Sequence, residues 1–187
     1  MKPFDRLLQQ WRIAVVRPYI PTGARLLDIG CGDGALFREL SPHLRAGVGI
    51  DLDPGPSRAE GAYQLIVGRI PEDLPNPSEP FDVITMLSVL EHVPPTDQPR
   101  VAKRCHALLK PGGYLVISVP SPTVDHLVRL LSALRIMDGT HCEEHYGFIV
   151  STTPTIFQDL TFVQHKTFQC GLNHLFVFQK PGSPALQ

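Results

Sequence analysis

Apolar positions recur at helical spacing at the start of the chain, where Phe4, Leu7, Leu8, Trp11 and Val15 alternate with Arg6, Arg12 and Arg17 on other faces. This pattern predicts a first helix that stops near Pro18. A short apolar run over 25–29 reads as a buried strand, followed by a glycine-rich loop and a helix over 35–40. Runs over 47–51, 63–67, 81–86 and 114–119 read as four more strands, and Leu52-Asp53-Pro54-Gly55-Pro56 breaks regular structure. The stripe Val101, Ala102, Cys105, Leu108, Leu109 predicts a helix with Asp97 as its N-cap and Pro99 near its first turn. Lys110-Pro111-Gly112-Gly113 stops that helix sharply. Another amphipathic helix is expected over 124–134 and a short one from Thr153-Pro154. Two strands, 161–168 and 174–179, close the chain as a hairpin.

Strands alternating with helices predict an α/β fold with a doubly wound, Rossmann-like and mostly parallel sheet, to which the hairpin adds one antiparallel C-terminal strand. The expected organisation is one domain over 1–187. Residues 1–20 form a lid helix, 22–120 a cofactor-binding core, 121–160 an acceptor or lid region, and 161–180 the closing hairpin. Ligands in such sheets sit at the carboxyl ends of the strands. The glycine loop, Asp51, Gly68-Arg69 and the Leu87–His92 segment all fall there.

Length and composition narrow the reading without deciding it. The chain has 187 residues, 43% of them apolar, which is enough for one ordinary core. A net charge of −1 argues against a strong electrostatic hold on nucleic acid. Cys31, Cys105, Cys142 and Cys170 form no C-x-x-C pair, so reduced thiols and a cytoplasmic location are expected. No stretch has the length and apolarity of a signal peptide or a membrane span.

The chemistry concentrates in Leu27-Asp28-Ile29-Gly30-Cys31-Gly32-Asp33-Gly34. Glycines at this spacing let the backbone turn tightly and let a ligand approach the main chain, although glycine spacing serves packing as well. Asp51 ends the second strand about 20 residues later, where an acid can accept both hydroxyls of a ribose. Nicotinamide cofactors and S-adenosylmethionine share that ribose, so Asp51 does not separate them. The loop acids do: Asp33 would repel a pyrophosphate, whereas carboxylates stabilise the ammonium and sulfonium of S-adenosylmethionine.

These residues also resemble a family. The Leu27–Gly34 stretch is similar to the first motif of class I S-adenosylmethionine-dependent methyltransferases of the small type 11/12 kind. Gly47-Val48-Gly49-Ile50-Asp51 resembles their second strand, and Phe81-Asp82-Val83-Ile84 with Leu90-Glu91-His92-Val93 their fourth. Leu108-Leu109-Lys110-Pro111-Gly112-Gly113-Tyr114-Leu115 resembles the helix–turn–strand that follows. The resemblance covers residues 22–120. It implies S-adenosylmethionine as cofactor, held by Asp28, Gly30, Cys31, Gly32, Asp33, Gly34, Asp51, Leu52, Arg69, Ile70 and Leu87. Two departures stand out: Arg69 follows Gly68 where many members have an acid, and the segment after Asp51 is too short for the usual helix. Adenine would then be held by main-chain groups near Arg69-Ile70 or by guanidinium stacking. The C-terminal Phe168-Gln169-Cys170-Gly171-Leu172-Asn173 more loosely resembles small bacterial members that modify cell-surface glycans or lipids.

Methyl transfer chiefly needs alignment of donor and acceptor, and a base helps when the acceptor is a hydroxyl. His92 is the first candidate base, with His141 and His145 next. His141-Cys142-Glu143-Glu144-His145 also contains metal-ligand types, and Glu91-His92 resembles part of the metal site of some O-methyltransferases. Ser88 stands where that site has its first glutamate, so polar lining is favoured and no metal is assigned. The expected activity is O-methylation of a small-molecule or lipid- or glycan-linked acceptor, with peripheral membrane contact through the first helix as a further option. The alternatives are a non-catalytic S-adenosylmethionine-binding module and an NAD-dependent oxidoreductase.

Overall fold

The computed structural model describes residues 3–121 and 148–182. The helix expected over 124–134, together with His141, Cys142 and His145, lies outside the described residues. Helices α1 (Pro3–Val16), α2 (Ala35–Leu40), α3 (Gln98–Leu108) and the single turn α4 (Thr153–Ile156) surround eight strands. The strands are β1 (Ala24–Ile29), β2 (Leu44–Asp51), β3 (Arg58–Glu60), β4 (Tyr63–Val67), β5 (Phe81–Leu87), β6 (Leu109–Pro120), β7 (Thr161–Phe168) and β8 (Asn173–Gln179).

They form one sheet in the order β3-β4-β2-β1-β5-β6-β8-β7. The strands β4, β2, β1, β5 and β6 run parallel, and β8 lies antiparallel to both β6 and β7. The Rossmann-like, mostly parallel sheet with an antiparallel strand near its C-terminal edge is therefore as expected. From β1 the chain first winds toward β2 and β4, then returns to the other side at β5. This reversal opens a crevice at the carboxyl ends of β1 and β5.

The central strands are buried on both faces, which suits runs such as Leu26-Leu27 and Val83-Ile84. One face carries Leu27, Ile29, Ile84 and Ile117 against α3 and α4. The other carries Leu26, Val83 and Val116 against α1 and α2. At the amino ends of the strands, Asp82 accepts the Arg25 N–H at 2.7 Å and the Lys110 Nζ at 2.8 Å. Asp82 thus clamps β1, β5 and β6 together, far from the crevice.

Three local features depart from the sequence pattern. No helix follows Asp51, as expected, but β3 forms there and folds back antiparallel on β4. Gly61, at φ +58°, makes that reversal. Asp97 does precede α3, but its side chain makes no cap hydrogen bond and instead pairs with Arg100 at 3.1 Å. Finally, α1 packs through Ile13 and Val16, while Leu7 and Trp11 of the predicted packing stripe are 55% and 43% exposed. The inward-facing side of the helix is thus the one with Ile13 and Val16, which pack against the sheet with Leu26, Leu36 and Phe37.

Candidate cofactor site

The crevice is built around the turn between β1 and α2. Gly30 N–H donates to the Ile50 carbonyl at 2.8 Å, tying the turn to the end of β2. Gly30 has φ +75°, and a Cβ there would stand 2.1 Å from Val89 Cγ2. Only glycine lets the loops after β1 and β5 meet at the switch point. Gly49 fits against the Cys31 side chain in the same way. Cys31 is buried, and burial pushes its thiol up, so it fills space and is not a nucleophile. Gly32 differs: at φ +49° it has no atom within 4 Å of its would-be Cβ. Its main chain faces open space at the mouth of the crevice.

One carboxylate borders this opening and a second lies buried nearby. Asp51 Oδ2 accepts the Gly32 N–H at 2.8 Å and Oδ1 accepts the Asp53 N–H at 3.0 Å. Both bonds come from main chain, so the carboxylate is held in one orientation with lone pairs to spare for outside donors. Asp28, only 3% exposed, pairs in register with Gly49 and Thr85, and accepts the Thr85 hydroxyl at 2.7 Å. Burial pushes Asp28 up to about 7, the Thr85 bond opposes this, and the charge of Asp51 adds to the rise. A buried acid beside a second acid gains from a cation, and a phosphate would worsen the repulsion.

The remaining expected residues separate. Asp33 is exposed and pairs with Arg38 Nη2 at 2.6 Å, while Arg38 and Arg58 also donate to its main-chain oxygen. Its charge is therefore engaged away from the opening, and the argument against a pyrophosphate rests on Asp28. Leu52 is 67% exposed and presents an apolar surface next to Asp51. Arg69 is exposed and its N–H donates to Asp73 Oδ2 at 2.8 Å. Asp73 shapes the turn at Arg69-Ile70 and lies just past the end of β4, where many members of the resembled family have their acid. Asp73 follows Gly68 by five positions instead of one, so the motif spacing does not reveal it. Leu87, Ser88 and Val89 line the other side, with Ser88 at φ 57° and its N–H bonded to the Ser118 carbonyl at 2.9 Å. His92 follows in a short turn on the same side of the crevice. His141 and His145 lie outside the described residues. Among the described residues, no group of three or more His, Cys, Asp or Glu side chains could hold a metal.

A methyltransferase domain family matches residues 4–151 of the chain. The chain belongs to the class I S-adenosylmethionine-dependent methyltransferases. Its glycine loop, oriented Asp51 and buried Asp28 fit a cationic adenosyl cofactor. Curated relatives include the ubiquinone biosynthesis O-methyltransferase of Pseudomonas aeruginosa, 36% identical over 107 residues, covering 51% of this chain and 44% of that protein. The protein of the same name from Coxiella burnetii is 36% identical over 127 residues, covering 63% and 53%. The methyltransferase thus spans about half the length of the curated relatives it matches. Among solved structures, the N-methyltransferase NodS of Bradyrhizobium japonicum WM9 in complex with S-adenosyl-L-homocysteine aligns with a TM-score of 0.67 and 21% identity. That alignment covers 96% of this chain and 89% of NodS, and at this identity it is a likeness of fold.

Proposed function

We propose that this methyltransferase moves the methyl group of S-adenosylmethionine to a hydroxyl of a small-molecule acceptor. The observation that carries the reading is the Asp51 carboxylate held by the Gly32 N–H at the open glycine turn, with Asp28 buried behind it near enough to feel its charge. Asp51 would accept the ribose hydroxyls. Asp28 would meet the cationic end of the cofactor, and the glycine loop would cover its middle. Leu52 and the turn shaped by Asp73 would receive the adenine.

When bound, the cofactor supplies an activated methyl on a sulfonium, so the protein need only align the acceptor oxygen and take its proton. In that displacement the oxygen–methyl bond forms as the sulfur–methyl bond breaks. His92 would take the hydroxyl proton and release it to solvent. The curated relatives carry an O-methyltransferase name, which supports a hydroxyl over an amine. A lipid- or glycan-linked acceptor is compatible with the same chemistry.

The test is incubation of the protein with isotopically labelled S-adenosylmethionine and a panel of aromatic compounds bearing either hydroxyl or amine groups, with and without a prenyl tail. Transfer to at least one is expected, with His92→Ala lowering kcat by about 100-fold and leaving cofactor affinity unchanged. Transfer to amines alone would overturn the hydroxyl assignment, and an unchanged kcat in His92→Ala would remove that histidine from the chemistry.

A further inference from the structure

Helix α1 carries an apolar stripe on its outer side. At roughly 100° per residue, the side opposite Ile13 and Val16 is taken by Leu7, Trp11 and Ala14, all exposed. Arg6 and Arg17, also exposed, follow one flank of the stripe. The stripe runs into a cavity of about 420 Å³ whose walls include Ala14, Ile20, Leu40 and Leu44 and whose lining also holds Arg17 and His43. Neither the Arg17 nor the His43 side chain forms an ion pair or hydrogen bond with a described residue.

We propose that this face docks the protein on an anionic lipid bilayer. A tryptophan within an apolar stripe that basic side chains flank suits the interface, where an amphipathic ring sits at headgroup level. Arg6 and Arg17 supply the complementary charge for lipid phosphates, and the cavity beside Arg17 gives a headgroup or chain end a place to enter. A second copy of the chain fits less well. Three side chains of this size cover roughly a few hundred Å², against about 800 Å² per partner in a stable interface. The inference does not depend on which acceptor is methylated.

Trp11 is the sole tryptophan of the chain, so its fluorescence reports this surface alone. The full chain is titrated with vesicles of equal parts phosphatidylglycerol and phosphatidylcholine, and with phosphatidylcholine alone, while emission and co-sedimentation are followed. A blue shift with the anionic vesicles, about tenfold weaker partition with phosphatidylcholine, and loss of binding at high salt are expected. Arg17→Glu and Leu7→Glu should each weaken partition by about fivefold or more, with thermal midpoints near that of the parent because both sites are exposed. Unshifted emission, variants that bind like the parent, or a blue shift that grows with protein concentration in the absence of vesicles would overturn the proposal; the last would mean self-association.

Discussion

The Asp51 carboxylate accepts the Gly32 N–H at 2.8 Å across 19 residues of sequence. One acid thereby fixes the glycine turn and is itself fixed by it. The end of β2 and the turn after β1 form a single unit, so ligand recognition at one is recognition at both.

Two glycines of that turn should respond differently to the same change. Gly30→Ala would drive a Cβ to 2.1 Å from Val89 Cγ2 at a positive φ, so a loss of about 2–4 kcal/mol of stability is expected. Gly32→Ala meets no atom within 4 Å and should cost only about 1 kcal/mol for its left-handed backbone. Its new methyl would nevertheless enter the opening where the cofactor is proposed to lie. Denaturant unfolding and S-adenosylhomocysteine titration of both variants check the contrast. A Gly32→Ala protein that is folded and binds normally would displace the ligand from that opening.

Asp28 should make cofactor affinity depend on pH. Its folded-state value of about 7 lies above the ordinary 3.8. The folded protein therefore holds this proton more tightly than the unfolded chain. The stability it contributes is present below 3.8 and is lost as pH rises through 7. A cationic ligand favours the ionised acid, so binding should release a proton and tighten from about pH 6 to about pH 8. Asp28→Asn should abolish this pH dependence, and should be the more stable protein above pH 7. Calorimetry in buffers of different ionisation enthalpy measures the released proton directly.

A second pH response should come from the edge of the sheet. The Ser121 hydroxyl donates to the Gly171 carbonyl at 2.6 Å, so His174 Nε2 donates into Ser121 at 2.9 Å. His174 Nδ1 then accepts from His165 Nε2 at 2.9 Å. Burial, aided by His165, holds His174 below its ordinary 6.5. The unfolded chain takes up this proton first, so stability is present above about 6.5 and is lost as pH falls below it. The thermal midpoint of the parent should drop more steeply below that pH than the midpoint of His174→Gln.

Much of this arrangement was legible in the sequence, for physical reasons. The central strands are continuous apolar runs, and a sheet buried on both faces requires that. The glycine loop and Asp51 were visible because a tight turn restricts residue type and an acid at the end of an apolar strand stands out. Three features were hidden. The orientation of α1 depends on how Ile13 and Val16 pack on the sheet, tertiary contacts that helical spacing does not encode. The short β3 depends on Gly61 and on pairing with β4, not on any apolar pattern of its own. The roles of the two loop acids depend on neighbours distant in sequence: Arg38 and Arg58 surround Asp33, while Thr85 and Asp51 surround Asp28.

The central claim is that Asp51 and the glycine loop bind an S-adenosyl amino acid and not a dinucleotide. Calorimetric titration of the parent and Asp51→Ala with S-adenosylhomocysteine, and of the parent with NAD, tests it most directly. The account predicts binding of S-adenosylhomocysteine alone, weakened at least about tenfold in Asp51→Ala by the loss of charge-assisted hydrogen bonds. Binding of NAD, or equal S-adenosylhomocysteine affinity in the two proteins, would contradict it.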